Sequence, residues 1–161
     1  MLPQMAKHPQ VGEPAPDFEL EGTDGNFRLS EHRGERVVLL FYPGDGTPVC
    51  TKQFRSYAAQ AEALAALDAT VVGISSQSVE SHRAFYDKHN LNVPLLADED
   101  GAVAKAYDAH ARLVGTKRAV ILVDEDGTVR YRHDHRLGLD FQTVGDLREA
   151  LDSLPLTAVG G

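Results

Sequence analysis

The stretch RVVLLFYPGDGTPVCTKQF, residues 36–54, decides how this chain folds. Arg36–Tyr42 is an unbroken run of branched and aromatic side chains, the pattern of a strand covered on both faces, and the turn residues Pro43–Gly46 end it. A second run of the same kind, ATVVGISS (Ala69–Ser76), follows after a mainly helical pattern. Neighbouring parallel strands need such a connection, so the three segments predict a βαβ crossover. Within the helical part Phe54, Tyr57, Ala58, Ala61, Leu64 and Ala65 recur at spacings of three and four, and Cys50 lies four residues before Phe54 on the same face.

Upstream, FELEGTDGNFRL (Phe18–Leu29) sets two short alternating runs either side of a Gly-Thr-Asp-Gly-Asn cluster, which predicts a hairpin. Downstream, Ser78–Asn90 opens with a Ser cap and carries Val79, His82, Phe85, Tyr86 and His89 on one helical stripe. A short strand in VPLLAD and a brief helix around Ala102–Tyr107 come next. KRAVILVDEDGTVRYRHD reads as an antiparallel hairpin turning at Asp124–Gly127, and Leu139–Leu154 as an amphipathic helix with Phe141, Val144, Leu147 and Leu151 on one side. That order predicts an α/β fold, a central mixed sheet flanked by helices with an N-terminal hairpin extension. At 161 residues the chain suits one domain, residues 1–161; Met1–Pro16 and the PLTAVGG tail show no pattern, and fraying is expected at about 1–10 and 155–161.

Sixteen Lys and Arg against 24 Asp and Glu give a formal charge of −8, with no basic run. A phosphate backbone or an anionic membrane would be repelled on average, which argues against a nucleic-acid partner. The start has no apolar signal-like core, and VVLLFY is far shorter than the ~20 residues that span a bilayer, so a soluble, cytoplasmic protein is expected. The single cysteine cannot form an internal disulfide and suits a reducing compartment.

A lone cysteine is ordinarily a small buried hydrophobe. Cys50 departs from that reading because Thr47-Pro48 resemble an N-cap and a first helical residue, which puts the thiol in the first turn. Unpaired N–H groups and the positive end of the helix dipole favour a thiolate there, and the thiolate is the nucleophile. A free thiol is only roughly 3% ionised at neutral pH, and lowering a pKa by two units takes about 2.7 kcal/mol. A helix end supplies about 0.3–1, at best about 2 kcal/mol. A guanidinium donating charge-assisted hydrogen bonds adds about 1.5–3 kcal/mol, so an arginine is expected nearby. Arg118 heads the apolar strand AVILVD, where a side chain reaches the carboxyl end of a neighbouring strand; Arg112, in DAHARLVGTKR, is the alternative.

Pro43, Thr47 and Cys50 stand in the spacing P-x-x-x-T-x-x-C, and in this the chain resembles the peroxiredoxins, thiol peroxidases with a thioredoxin-like fold. FYPGDGTPVCTKQ is similar to their bacterioferritin-comigratory, or Q-type, branch. VGEPAPDFEL resembles the family's usual opening, and GTKRAVILVDEDG the strand that carries its active-site arginine. The resemblance implies that Cys50 attacks a hydroperoxide and becomes a sulfenic acid, that Pro43 shields the pocket, and that Thr47 and Arg118 bind the peroxide oxygens. No cofactor is implied. Many Q-type members carry a resolving cysteine five residues after the first, where this chain has Arg55. The expectation is therefore a one-cysteine mechanism in which thioredoxin, glutaredoxin or a low-molecular-weight thiol reduces the sulfenic acid, in a monomer or a homodimer.

Other signals are weaker. Gly44-Asp45-Gly46 lacks the G-x-x-x-x-G-K-[ST] pattern of a phosphate loop and reads as flexible turn residues. His133 and His135 alternate on one strand face, but Arg130, Arg132 and Arg136 are poor company for a metal, so a solvated edge is expected. The histidines of Ser78–Asn90 read as boundary residues, and the acids near Asp98 and Asp124 as turn acids. Two other classes of function compete with peroxidase: a redox-inactive thioredoxin-like binding module, and a thiol–disulfide oxidoreductase, which the absence of C-x-x-C disfavours.

Overall fold

The computed structural model describes residues 7–111, 115–135 and 141–154. In chain order, the expected hairpin is β1 (Glu19–Gly22) and β2 (Gly25–Arg28), followed by a 3-10 turn at Leu29–His32. Then come β3 (Val37–Phe41), α1 (Pro48–Ala59), α2 (Ala61–Ala65) and β4 (Thr70–Ser75). After them lie α3 (Val79–Lys88), β5 (Leu95–Ala97) and α4 (Ala102–Ala106). The last elements are β6 (His110–Ala111), β7 (Gly115–Thr116), β8 (Ala119–Val123), β9 (Val129–Asp134) and α5 (Val144–Asp152). The main sheet runs β2-β1-β5-β4-β3-β8-β9.

The predicted crossover is present: β3 and β4 are parallel, with Val37 opposite Thr70 and Phe41 opposite Ile74. On its other side β3 pairs antiparallel with β8, so Phe41 faces Ala119. This register puts the start of β8, and with it Arg118, beside the carboxyl end of β3. The hairpin extends the sheet through a single pair, Gly22 with Leu96 of β5.

Because side chains alternate across a strand, the unbroken apolar run of β3 feeds two cores. Val38, Leu40 and Tyr42 pack with Cys50, Phe54, Tyr57, Phe85 and Leu147. Val37, Leu39 and Phe41 pack with Phe27, Leu29, Val103 and Tyr107. Thus α1, α3 and α5 cover one face, and α4 with the 3-10 turn covers the other. Gly73, in the middle of β4, lets α1 approach closely: a Cβ there would lie 2.9 Å from Leu95 Cδ2 and 3.0 Å from Phe54 Cζ.

Three local differences have physical reasons. The helical pattern after Cys50 breaks at Gln60 (φ −111°, ψ 42°), and Ala61 and Ala65 are exposed while Leu64 is buried. Alanine favours the helix but has too little surface to dictate which face is buried. Gly12–Ala15, inside the segment read as loose, bonds to the β8–β9 turn through Gly12 N–H to Val129 C=O and Ala15 N–H to Gly127 C=O. His135, expected on a solvated edge, is buried, with its ring centroid 4.4 Å from that of His133. Among the described residues no group of three or more His, Cys, Asp or Glu is arranged to hold a metal ion.

Candidate active site

Cys50 is the third residue of α1, with Pro48 first and Thr47 in the N-cap position. The first intrahelical bond is from Thr51 N–H to Thr47 C=O at 2.8 Å, so the N–H groups of Val49 and Cys50 precede any acceptor the helix itself could offer. Thr47 does not cap them: its Oγ1 donates to Gly44 C=O at 3.2 Å, and no side-chain cap bond forms. The sequence placed Thr47 correctly but misread its hydroxyl, which turns back into the loop. Pro43 sits half-buried in the bend after β3.

Cys50 is fully buried, and Arg118 is 2% exposed. Arg118 Nη2 donates to Cys50 Sγ at 3.1 Å. The ordinary reading of a strand-end arginine as a solvated charge therefore fails here, and a permanent positive charge lies on the sulfur. Arg112 lies outside the described residues. A second donor of the same guanidinium, Nη1, is taken by Gln53 Oε1. Gln53 Nε2 then donates to Tyr57 Oη at 3.0 Å, and Tyr57 Oη donates to Gln142 C=O at 2.5 Å. Arg118 is thus oriented from one helical face, through Cys50, Gln53 and Tyr57 at successive turns of α1. Arg118 Nε is buried and has no hydrogen-bond partner among the described residues.

Sequence reasoning did not single out Gln53 or Tyr57 as functional. The available signal was Gln53 itself, an uncharged polar side chain set in the apolar stripe of α1 and buried to 1%.

The loop between β3 and α1 is held by a cluster that sequence reasoning also missed. Asp45 Oδ1 accepts from Tyr42 Oη, and Asp45 Oδ2 accepts from Ser81 Oγ and faces His82 Nδ1, all at 2.7 Å. The other ring nitrogen, His82 Nε2, lies 3.0 Å from Leu96 C=O. His82 is fully buried, not a boundary residue as its helical stripe suggested. Burial works to raise the Asp45 carboxyl, but its bonds to His82, Tyr42 and Ser81 outweigh this and hold it below the usual carboxylate value. Burial and the Asp45 charge push the Tyr42 phenol well above its usual value, which keeps it a donor. The loop is no flexible turn. Asp98, expected to be a turn acid, accepts from Val103 N–H at 3.1 Å and Ala104 N–H at 2.9 Å and so caps α4. Asp124 does bind its own turn, accepting from Asp126 N–H at 2.9 Å and Thr128 N–H at 3.0 Å.

Known proteins resemble this chain over most of its length. Peroxiredoxin Bcp of Bacillus subtilis is 37% identical over 126 residues, 73% of this chain and 80% of the relative. The chloroplastic peroxiredoxin Q of Oryza sativa subsp. japonica is 36% identical over 146 residues, 89% of this chain and 67% of the relative. The crystal structure of peroxidoxin BcpB from Mycobacterium tuberculosis matches with a TM-score of 0.81 at 29% identity, over 92% of this chain and 99% of that one. The family model described as AhpC/TSA matches residues 11–132. The chain, with its one cysteine at the helix end and a buried arginine on the sulfur, belongs to the AhpC/TSA family as a peroxiredoxin related to the Bcp and Q proteins.

Proposed function

We propose that this peroxiredoxin reduces hydrogen peroxide and organic hydroperoxides through Cys50, with Thr47, Arg118 and Pro43 completing the site. The observation that carries the reading is the hydrogen bond from Arg118 Nη2 to Cys50 Sγ, 3.1 Å long, in the first turn of α1. The thiolate sulfur attacks one peroxide oxygen; the S–O bond forms as the O–O bond breaks, the attacked oxygen's proton passes to the departing oxygen, which leaves as water or an alcohol, and solvent protonates the resulting sulfenate to the sulfenic acid. Thr47 Oγ1, its own proton donated to Gly44 C=O, accepts a hydrogen bond from the peroxide O–H. The Arg118 guanidinium stabilises charge on the leaving oxygen, strongest when the O–O bond is half broken, so it lowers the barrier more than it tightens binding. Pro43 shields the pocket from water.

The sulfenic acid is then attacked by an external thiol, forming a mixed disulfide and releasing water, and a second thiol equivalent frees Cys50 as a disulfide departs. A one-cysteine chain supports this route, because it has no second thiol to close an internal bridge. The reductant is thioredoxin, glutaredoxin or a small thiol in a reducing, cytoplasmic compartment, and the working unit is a monomer or a homodimer. The test adds stoichiometric hydrogen peroxide to the reduced protein beside Cys50→Ser, with intact mass and a dimedone trap as readouts. Rapid formation of one sulfenic acid at Cys50, followed by one thiol adduct, is expected. Oxidation no faster than that of free cysteine would return the chain to the class of redox-inactive binding modules.

A further inference from the structure

We propose that Asp45 and His82 are positioning residues for the peroxidase reaction, their buried contact fixing the loop that presents Thr47 to the peroxide. The proposal rests on the peroxidase reading above. Asp45 belongs to a short connecting turn, yet its side chain is only 6% exposed and that of His82 is 0%. A carboxylate is buried at great cost unless it is fully hydrogen-bonded, and here three donors from outside the turn meet it at 2.7 Å. One donor, Tyr42, comes from the end of β3, and two, Ser81 and His82, from the first turns of α3. His82 faces an acceptor with each ring nitrogen, Asp45 Oδ2 on one side and Leu96 C=O on the other.

The sulfur's own hydrogen bond comes from Arg118, so this cluster serves the chain that leads to the site. A second strap runs from the end of β4: Gln77 Oε1 accepts from Asp45 N–H at 3.2 Å and from Ser75 Oγ at 2.7 Å. Between the straps Gly44 has no room for a side chain, since a Cβ would stand 2.8 Å from Gln77 Nε2. Gly46 turns the chain at φ +78°, and Thr47 Oγ1 donates to the Gly44 carbonyl so fixed. The direction of the Thr47 hydroxyl thus depends on how Asp45 is held. A misplacement of about 1 Å at a reacting group costs about a hundredfold in rate.

Two substitutions separate the contacts of His82. His82→Asn keeps a donor where Nδ1 stands, toward Asp45, and loses the Leu96 contact; His82→Gln reaches toward Leu96 and loses Asp45. The second-order rate constant for Cys50 oxidation by hydrogen peroxide is expected to stay within about threefold in His82→Asn and to fall at least about tenfold in His82→Gln. Alkylation of Cys50 by iodoacetamide, which needs no positioned hydroxyl, is expected to keep its wild-type rate in both. In a Thr47→Val background His82→Gln is expected to cost nothing further, because its effect passes through Thr47. Wild-type peroxide rates in His82→Gln, equal losses in the two variants, or full additivity with Thr47→Val would overturn the proposal. Should the His82 variants not fold, Ser81→Ala, which removes one half-buried donor, decides: a several-fold loss supports the proposal and an unchanged rate overturns it. A wild-type protein that reacts no faster than free cysteine defeats the peroxidase reading itself, whereas a fast wild type with an equally fast His82→Gln defeats only this inference.

Discussion

Replacing Arg118 by methionine removes the donor on the sulfur while roughly keeping the side chain's volume. Arg118 is 2% exposed, and its Nη2 bond to Cys50 Sγ is 3.1 Å long, so solvent does little to screen the interaction. A hydrogen bond to a charged group contributes about 1.5–3 kcal/mol, which at about 1.36 kcal/mol per decade corresponds to a loss of roughly tenfold to 160-fold. In the proposed reaction the guanidinium also stabilises the leaving oxygen, and losing one donor of that kind costs about a hundredfold to a thousandfold. The peroxide rate constant of Arg118→Met should therefore fall by at least about a hundredfold. Arg118→Lys keeps the charge but cannot serve Gln53 and the sulfur at once with a rigid planar group, and should lose at least about tenfold. The assay is competition for hydrogen peroxide against a peroxidase of known rate, run beside iodoacetamide alkylation. Alkylation isolates the nucleophilicity of the sulfur, and the peroxide rate should fall by the larger factor. Peroxide reactivity of Arg118→Met within about threefold of wild type would refute the argument that buried charge drives the chemistry.

Gln53→Leu leaves Arg118 Nη1 buried without its acceptor and should destabilise the fold by about 1–3 kcal/mol in urea titration, with a several-fold slower peroxide reaction. Gly73→Ala drives a methyl group into Leu95 and Phe54 and should cost about 1–3 kcal/mol by the same titration. Burial works to raise the Asp124 carboxyl, but Arg130 and the Thr128 and Asp126 N–H groups hold it below the usual carboxylate value. Its stabilising contribution is therefore full above the unfolded pKa of about 3.9 and is lost as pH falls through the lower folded value. Asp124→Asn should be less stable at pH 7 and lose less stability than wild type when the urea midpoint is followed down from about pH 5.

The elements that composition alone determines were legible. The strands β3, β4 and β8 are continuous apolar runs that admit few other fates, and the Ser78 cap and the spacing of Leu147 and Leu151 announce α3 and α5. Energetics called for a cation beside Cys50, since a helix end alone is too weak, and the head of an apolar strand made Arg118 the best candidate with Arg112 as the alternative. Less legible was everything fixed by polar contacts between residues distant in sequence. Thr47 in a cap position reads the same whether its hydroxyl accepts from the helix or donates to Gly44. Asp45 and His82 are 37 residues apart, and neither looks unusual until the crossover places α3 against the loop. One hint was available for both Gln53 and His82: each is a polar residue on an otherwise apolar helical stripe, a position that burial makes costly unless a partner exists.

The start of α1 also bears on how Cys50 would be regenerated. Cys50 is fully shielded, so a protein-sized reductant reaches its oxidised sulfur only when the first turn opens. Few helical backbone bonds hold that turn: Pro48 contributes no N–H, and the N–H groups of Val49 and Cys50 precede the first helical acceptor. The break at Gln60 separates α1 from α2, so unwinding at one end need not disturb the Leu64 packing at the other. On the proposed route the segment that aims the sulfur at peroxide would also have to unwind for a protein reductant, so oxidation and recycling would take turns with a single short length of backbone.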